Sequence, residues 1–351
     1  MTLIRPSLRD ILLTRRAPAI WPHGRGLEGQ ARIPAATMQG IVTVELIHAR
    51  TGLVKRRLRF PNLITNAGLD KVAANTKPLG LFLGNGGYLG VGTGSTAPAV
   101  TDVALVAATG VRTNSVGGGT TTFGFGAANA YSFWLVAREF SETQSNGNLT
   151  EFGLFDASTA GTMFVRQLFR DEVGNPTTIV KTSDDKLRVI YEFRLYPPTV
   201  DAAGVVTINA VNYNWTSRIC NGALDTAWGV TSGFTGLLNW MGGGNPNCEA
   251  SNHTTLGSTT SVGPTGGTQT ASKDSFVNSA YTNGSFLYEV SHVWNPGTAN
   301  FTNGVRAFRF QPWSSGASFS HQMVLDAFIP KVNTQRLTLT FQFQLGRHAL
   351  P

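Results

Sequence analysis

The fold is decided by the stretch Leu187-Arg188-Val189-Ile190-Tyr191-Glu192-Phe193-Arg194-Leu195-Tyr196. Large apolar side chains occupy every second position of this stretch, and Arg188, Glu192 and Arg194 stand between them. A period of two is typical of a β-strand that buries one face and exposes the other. The stretch therefore predicts a long, half-buried strand.

Two further strand candidates precede this stretch, at Leu149–Asp156 and Gly161–Phe169, and short polar turns separate all three. We interpret them as an antiparallel meander. A similar plan recurs near the C-terminus, where a strand at Phe319–Leu325 is followed by the alternating run Leu337–Leu345. A polar turn precedes the last strand in both places. Two copies are too few for a repeat array, so we interpret them as two related halves of one β architecture, or as two strands with similar roles in one sandwich.

The composition also favours short strands and many turns. Only 14% of the residues are charged, against about 25% in ordinary globular domains, and 40 of the 351 residues are glycine. We predict an all-β chain: an antiparallel β-sandwich or jelly-roll-like body with long loops and an extended N-terminal arm. Helix is expected only in short pieces at Ala67–Ala74, after a capping Thr or Asn, and at Thr101–Ala107. The low charge also suits surfaces that are buried against other subunits.

The basic residues are concentrated near the N-terminus. Residues 1–59 contain eleven Lys or Arg and three acidic residues, a net charge of +8, and the remainder of the chain is neutral. We divide the chain into an arm at residues 1–37, a β-sandwich half at 38–200, and a second β half at 201–351 with loops rich in Gly, Ser, Thr and Asn. The arm holds apolar and basic side chains but is too short to bury them itself, so we expect it to dock on a partner. Its candidate docking residues are Leu8, Ile11, Leu12, Arg15, Arg16 and Trp21.

Residues 41–48 and 53–60 form a predicted hairpin whose second strand carries the basic cluster Lys55-Arg56-Arg57-Leu58-Arg59. No aromatic platform surrounds this cluster, so we interpret it as a solvated or interface-facing strand and do not expect nucleic acid as a partner. The glycine run Leu89–Pro98 lacks the spacing of a dinucleotide-binding fingerprint and is not followed by a helix that would receive a phosphate. We interpret it as a strand that leaves the sheet through a glycine turn.

No catalytic, cofactor or metal motif is present in the sequence. The adjacent acidic pairs Asp171-Glu172 and Asp184-Asp185 lie in turns. In a glycosidase, two carboxylates face each other across a cleft, and adjacent residues of one turn cannot do this. We therefore predict a protein that is not an enzyme and that needs no cofactor. Cys220 and Cys248 are the only cysteines, and we interpret them as two free thiols rather than a disulfide framework. No window is apolar enough for a membrane span, and a secretory signal is not expected.

Several of these segments, in this order, resemble virion proteins of tailed bacteriophages, of the tail, collar or fibre type. The segments are Asn62–Leu69, Leu89–Pro98, Leu149–Phe155, Phe164–Asp171 and Ile329–Lys331. The resemblance implies a β-rich structural protein that is made in the cytoplasm of the bacterial host and incorporated into the virion. It implies a homo-oligomer, a trimer or a larger ring, that also contacts other tail or neck proteins. The matching motifs carry no catalytic residue.

A second function stays open, in which the chain is a fibre that binds or depolymerises a host polysaccharide. In that case the loops of residues 241–300 would contact the glycan through aromatic side chains, although core packing is the commoner role of such residues. The candidate contacts are Trp240, Tyr281, Tyr288 and Trp294.

For the arm, we expect deletion of residues 2–37 to leave a folded, oligomeric body that no longer enters the particle.

Overall fold

One long strand, β1 (Leu27–His48), connects the two halves of the molecule in the computed structural model, which describes residues 26–74, 87–115, 122–125, 131–220, 247–259, 261–311 and 320–349. Within these residues the regular structure is twenty strands and one helix, α1 (Asn66–Ala73). The predicted all-β class with short helical pieces is therefore confirmed. Thr65 caps α1 as expected, because its Oγ1 accepts the N–H of Gly68 at 3.0 Å.

The first half of the molecule is a sandwich of two sheets. One sheet has the order β5-β6-β11-β1-β2 and the other β4-β3-β8-β9, while β7 and β10 form a separate pair. The end of β2, at Leu63 and Ile64, also pairs with β9 and joins the two sheets. The rings of Phe164 and Phe193, one from each sheet, have centroids 5.8 Å apart, so the sheets pack face to face. The strands of this half are β2 (Val54–Ile64), β3 (Tyr88–Gly92), β4 (Ala108–Thr113), β5 (Thr122–Phe125), β6 (Ser132–Phe140), β7 (Gly147–Leu149), β8 (Glu151–Phe155), β9 (Met163–Leu168), β10 (Ile179–Lys181) and β11 (Asp185–Tyr196).

The second half is another two-layer arrangement. One layer is β16-β17-β20 with the N-terminal part of β1, and the other is β12-β13-β19-β18-β14-β15. Phe310 and Phe341, from opposite layers, have ring centroids 4.1 Å apart, which marks the centre of this core. The strands of this half are β12 (Ala202–Ile208), β13 (Val211–Cys220), β14 (Asn247–Ser251), β15 (Thr270–Ser272), β16 (Ser275–Asn278), β17 (Leu287–Trp294), β18 (Val305–Gln311), β19 (Ser320–Ile329) and β20 (Leu337–Arg347).

The two halves share one pairing scheme. In the first half β3 pairs with β4 and β8, β8 with β9, β5 with β6, and β6 with β11. In the second half β14 pairs with β15 and β18, β18 with β19, β16 with β17, and β17 with β20. The last strand of each scheme pairs with β1, antiparallel for β11 and parallel for β20. The two related halves expected from the sequence are therefore a duplicated strand order.

A buried lysine occupies the same place in both halves. Lys181 lies six positions before Leu187, and Lys331 lies six positions before Leu337. The ammonium groups donate to Oδ1 of Asn146 at 2.6 Å and to Oδ1 of Asn300 at 2.8 Å. Because each asparagine lies in the loop after β6 or β17, the lysine ties that loop to the turn before the last strand of its half.

The predicted boundary of the arm at residue 37 is wrong. The strand β1 begins at Leu27 and pairs with β20 from Leu27 to Met38. Ala31 and Ile33 are buried there, so this segment completes the core of the second half. Residues 1–25, with Leu8, Ile11, Leu12, Arg15, Arg16 and Trp21, lie outside the described residues.

Two local predictions also need correction. The segment Leu149–Tyr196 is not a simple meander, because β9 follows β8 in one sheet while β11 pairs with β1 and β6 in the facing sheet. Residues 101–107 contain no helix; they are a loop that leads into β4. Asp102 in this loop accepts a hydrogen bond from the backbone N–H of Ala99 at 2.8 Å and forms an ion pair with Arg166. These two contacts hold the loop in a non-helical conformation.

Candidate functional site

A buried ionic cluster lies where the segments Leu89–Pro98, Leu149–Phe155 and Phe164–Asp171 meet. Glu151 begins β8 and Arg166 lies in the neighbouring strand β9, and both side chains are inaccessible to solvent. Nε of Arg166 donates to Oε2 of Glu151 at 2.8 Å. The same guanidinium donates to Oδ2 of Asp102 at 2.7 Å and to the carbonyl of Thr96 at 2.9 Å. Arg166 thus binds the carboxylate of Glu151 in β8, and also one carboxylate and one carbonyl of the loop that joins β3 to β4.

The glycine run Leu89–Pro98 wraps around the carboxylate of Glu151. Oε1 of Glu151 accepts backbone N–H groups from Gly94 at 3.2 Å and from Ala107 at 2.8 Å. A Cβ atom at Gly92 would lie 2.7 Å from the same oxygen, so the backbone can approach only where glycine stands. The glycines therefore serve a carboxylate of the chain itself. Because Glu151 and Arg166 are fully buried and bond only to groups of the chain itself, we infer a structural role for the cluster.

The aromatic residues predicted to contact glycan are placed differently by the structure. Tyr288 and Trp294 are 3% and 0% exposed, so their assignment as glycan contacts is wrong. Both lie on the core face of β17, where Trp294 Nε1 donates to the carbonyl of Ala271 at 3.2 Å. Tyr281 is half-buried and its hydroxyl donates to Asp70 of α1 at 2.5 Å. Trp240 lies outside the described residues.

The basic cluster of β2 is matched by acidic side chains of the neighbouring strands. Lys55 pairs with Asp185 at 2.5 Å, Arg57 with Glu45 at 3.5 Å, and Arg59 with Glu192 at 2.8 Å. Burial raises the pKa of Asp185, but hydrogen bonds from Lys55 and Thr182 outweigh it, so its pKa is lowered. These basic side chains of β2 therefore form ion pairs with neighbouring strands. Because acidic partners neutralise them, the strand does not favour a phosphate-binding groove.

The turn acids have local roles. Oδ1 of Asp171 accepts the backbone N–H groups of Val173 at 3.1 Å and of Asn175 at 2.8 Å. Asp185 accepts the hydroxyl of Thr182 at 2.8 Å. Asp171 and Asp185 therefore stabilise the local turns through side-chain hydrogen bonds, a common role of Asp in turns. Cys220 and Cys248 are both buried free thiols, as expected.

A pocket of about 340 Å³ in the second half was not predicted from the sequence. Glu249 of β14, Arg309 of β18 and His253 of the loop after β14 contribute its charged and titratable side chains. These residues come from separate segments and form no motif, so only the paired strands bring them together. Arg309 gave a sequence signal, as a basic residue within an apolar run that predicts a strand, but Glu249 lies in a polar segment that was interpreted as a loop.

No protein-family model matches the chain, and no curated protein or solved structure is significantly similar to it. In the part of the chain that the structure covers, no three His, Cys, Asp or Glu side chains lie close enough together to hold a metal ion. Within the same residues, no helix has the length and apolar character needed to cross a membrane.

Proposed function

We propose that this chain is a structural component of a tailed-bacteriophage virion, of the tail, collar or fibre type. It self-assembles as a homo-oligomer and docks to a neighbouring virion subunit through its N-terminal arm. The observation that carries the proposal is the Glu151–Arg166 cluster. Three of the five segments that carry the resemblance, Leu89–Pro98, Leu149–Phe155 and Phe164–Asp171, meet at it, and its bonds hold the loop between β3 and β4. A cluster that stabilises a loop and presents no reactive group fits a building block better than a catalyst.

The revised arm supports the same proposal. Residues 1–25 carry five arginines and one aspartate together with Leu8, Ile11, Leu12 and Trp21, and they precede the first strand of the body. Arginine forks suit acidic grooves of a partner protein, and the apolar side chains supply the contact area that affinity requires. The arm therefore has the chemistry of a docking peptide attached to a rigid body.

The test is incorporation of a truncated chain into particles. We expect deletion of residues 2–25 to leave a folded homo-oligomer that is absent from purified virions, measured by mass spectrometry of the particles and by analytical ultracentrifugation of the free protein. A matched control replaces Arg15 and Arg16 with Lys, which keeps the charge and should weaken incorporation only partly. A truncated chain that is incorporated at the normal copy number would contradict the docking role, and a wild-type chain absent from particles would contradict the virion assignment.

A further inference from the structure

The duplicated strand order allows one site to be compared between the two halves. In the first half the paired residues Gly90, Gly153 and Arg166 form a row across β3, β8 and β9. The side chain of Leu105, from the loop between β3 and β4, covers the two glycines: its methyl groups lie 3.5 and 3.2 Å from Cβ positions built on Gly90 and Gly153. The loop of the first half therefore closes over this row.

In the second half the equivalent row consists of polar and charged residues. Glu249, Arg309 and Gln322 are paired in register across β14, β18 and β19. The loop between β14 and β15 crosses this row as its counterpart does, and Gln322 fixes it by donating to the carbonyl of Gly257 at 2.9 Å. Over Glu249 and Arg309, however, the loop leaves the pocket of about 340 Å³. The second half thus has a cavity with charged walls at the position where, in the first half, the side chain of Leu105 packs on Gly90 and Gly153.

The polar groups of this pocket are held in fixed positions. Arg309 Nη2 pairs with Oε2 of Glu249 at 2.6 Å, and its Nη1 donates to the carbonyl of Val262 at 2.9 Å. The ring of His253 is held by the N–H of Gly267, which donates to Nδ1 at 2.9 Å. With Nδ1 accepting, the neutral ring carries its proton on Nε2. Burial lowers the pKa of His253, so the ring is neutral at pH 7 and offers one donor.

The charges and the size of the pocket restrict its ligand. The carboxylate of Glu249 disfavours an anion and the guanidinium of Arg309 disfavours a cation, while the pair together is neutral. Carboxylate, imidazole and the hydroxyl of Thr270 offer both acceptors and donors, and Pro264 adds an apolar wall. The volume lies at the lower end of the range of about 300–1,000 Å³ found for small-molecule sites. A neutral molecule with several hydroxyl groups and one apolar face meets these conditions.

We propose that the pocket formed by Glu249, His253, Pro264, Thr270 and Arg309 binds one sugar unit of a neutral carbohydrate. Glu249 accepts from sugar hydroxyls, Nε2 of His253 and the hydroxyl of Thr270 donate to them, and the C–H face of the sugar packs on Pro264. The site differs from the aromatic positions suggested by the sequence. It does not depend on the virion assignment, because it rests on the second sandwich alone.

The test is saturation-transfer NMR and titration calorimetry on the full-length protein. The probes are D-glucose, D-galactose, N-acetyl-D-glucosamine and L-rhamnose, followed by neutral oligosaccharides of the same sugars. We expect at least one of these probes to bind, and His253→Ala and Glu249→Gln each to weaken binding by about tenfold, the effect of one lost hydrogen bond to a charged or fixed group. His48→Gln, which alters a histidine at the end of β1 that does not line the pocket, should bind like the wild type.

Glu249→Gln also removes the partner of a nearly buried arginine and can lower stability, so a second variant is needed. Thr270→Trp places a large side chain at the exposed rim of the pocket and leaves both residues of the ion pair unsubstituted. It should keep the thermal midpoint of the wild type and abolish binding. The proposal is overturned if none of the sugars binds, or if a sugar binds equally well to the Thr270→Trp and His253→Ala variants.

Discussion

At the scale of single residues, Glu151 is the carboxylate on which most local structure depends. Replacing it with Gln leaves the guanidinium of Arg166 buried beside a neutral amide and sets an NH₂ donor against backbone N–H donors. Breaking a buried ion pair on one side costs about 3–5 kcal/mol. We therefore expect the Glu151→Gln variant to lose about that much free energy of unfolding in urea titrations.

The matched control for this variant is Glu142→Gln. Glu142 makes a surface pair with Lys186 at 3.8 Å, and its side chain is 38% exposed. Exposed pairs contribute about 0–1 kcal/mol because water screens them. Equal losses for the two variants would show that the Glu151 cluster is not the buried anchor described above.

His292 gives a prediction about pH. Burial, and secondarily the charge of Lys273, lower its pKa from 6.5 to about 3, and the rings of Trp294, Phe310 and Phe341 surround it. Between these two values the unfolded chain binds the extra proton, so stability is lost as the pH falls from 6.5 towards 3. On going from pH 7 to pH 5 the wild type should lose about 2 kcal/mol more than His292→Phe. Urea unfolding at both pH values checks this, and parallel losses would refute it.

The burial of the aromatic residues of β17 could have been predicted from the sequence. In Leu287–Trp294 the residues Tyr288, Val290, His292 and Trp294 share one face by simple alternation, and that face is the core. The alternation was present, but the nearby polar loops suggested glycan contacts instead. No local sequence pattern indicated the cluster of Glu151 and Arg166. The pair is buried by the loop of residues 92–107, which is far from Glu151 and Arg166 in the sequence.

At the scale of elements, the N-terminal part of β1 can be tested through Gly29. A Cβ atom there would lie 2.7 Å from the side chain of Ile208 and 2.9 Å from that of Val206, both in β12. Overpacking of this kind costs about 1–3 kcal/mol. We expect Gly29→Val to lower the free energy of unfolding by that amount, measured in guanidinium.

The control lies one position further along the strand. Gln30 points outward and donates to Glu289 at 3.1 Å on the exposed side. Gln30→Ala should change the free energy of unfolding by less than about 1 kcal/mol, as surface substitutions usually do. A tolerated valine at Gly29 would argue that β1 does not pack on β12 in solution.

The sequence predicted the strongly alternating strands correctly, but residues 27–40 of β1 were not predicted as strand. β11 and β20 can be recognised in the sequence because five large apolar residues in each recur with a period of two. The segment Leu27–Ala36 has the same period, but small residues and Pro34 weaken it. Its partner is β20, more than 300 residues away, so no nearby segment signals the pairing. The helix expected at Thr101–Ala107 failed for a similar reason, since Arg166 holds that loop from β9.

At the scale of the whole molecule, two truncations separate the arm from the body. Deletion of residues 2–25 removes only residues before β1, so cooperative unfolding and the thermal midpoint should stay close to the wild type. Deletion of residues 2–37 also removes Leu27, Ala31 and Ile33 from the second core and uncovers the edge of β20. We expect this chain to aggregate or to show a lost or early second transition in calorimetry. If both truncated chains melt like the wild type, β1 does not complete the second sandwich.

The pairing of β1 with β20 also sets the order in which the molecule can be built during translation. Thr37 and His348, whose side chains are hydrogen-bonded, are 311 positions apart. The first sandwich has all its strands once Tyr196 has left the ribosome, but the N-terminal part of β1 must then wait for about 150 more residues. At about 5–20 residues per second that interval is roughly 8–30 s. During it the nascent chain exposes an unpaired strand, so the yield of soluble protein should depend on elongation rate and on chaperones that shield this segment.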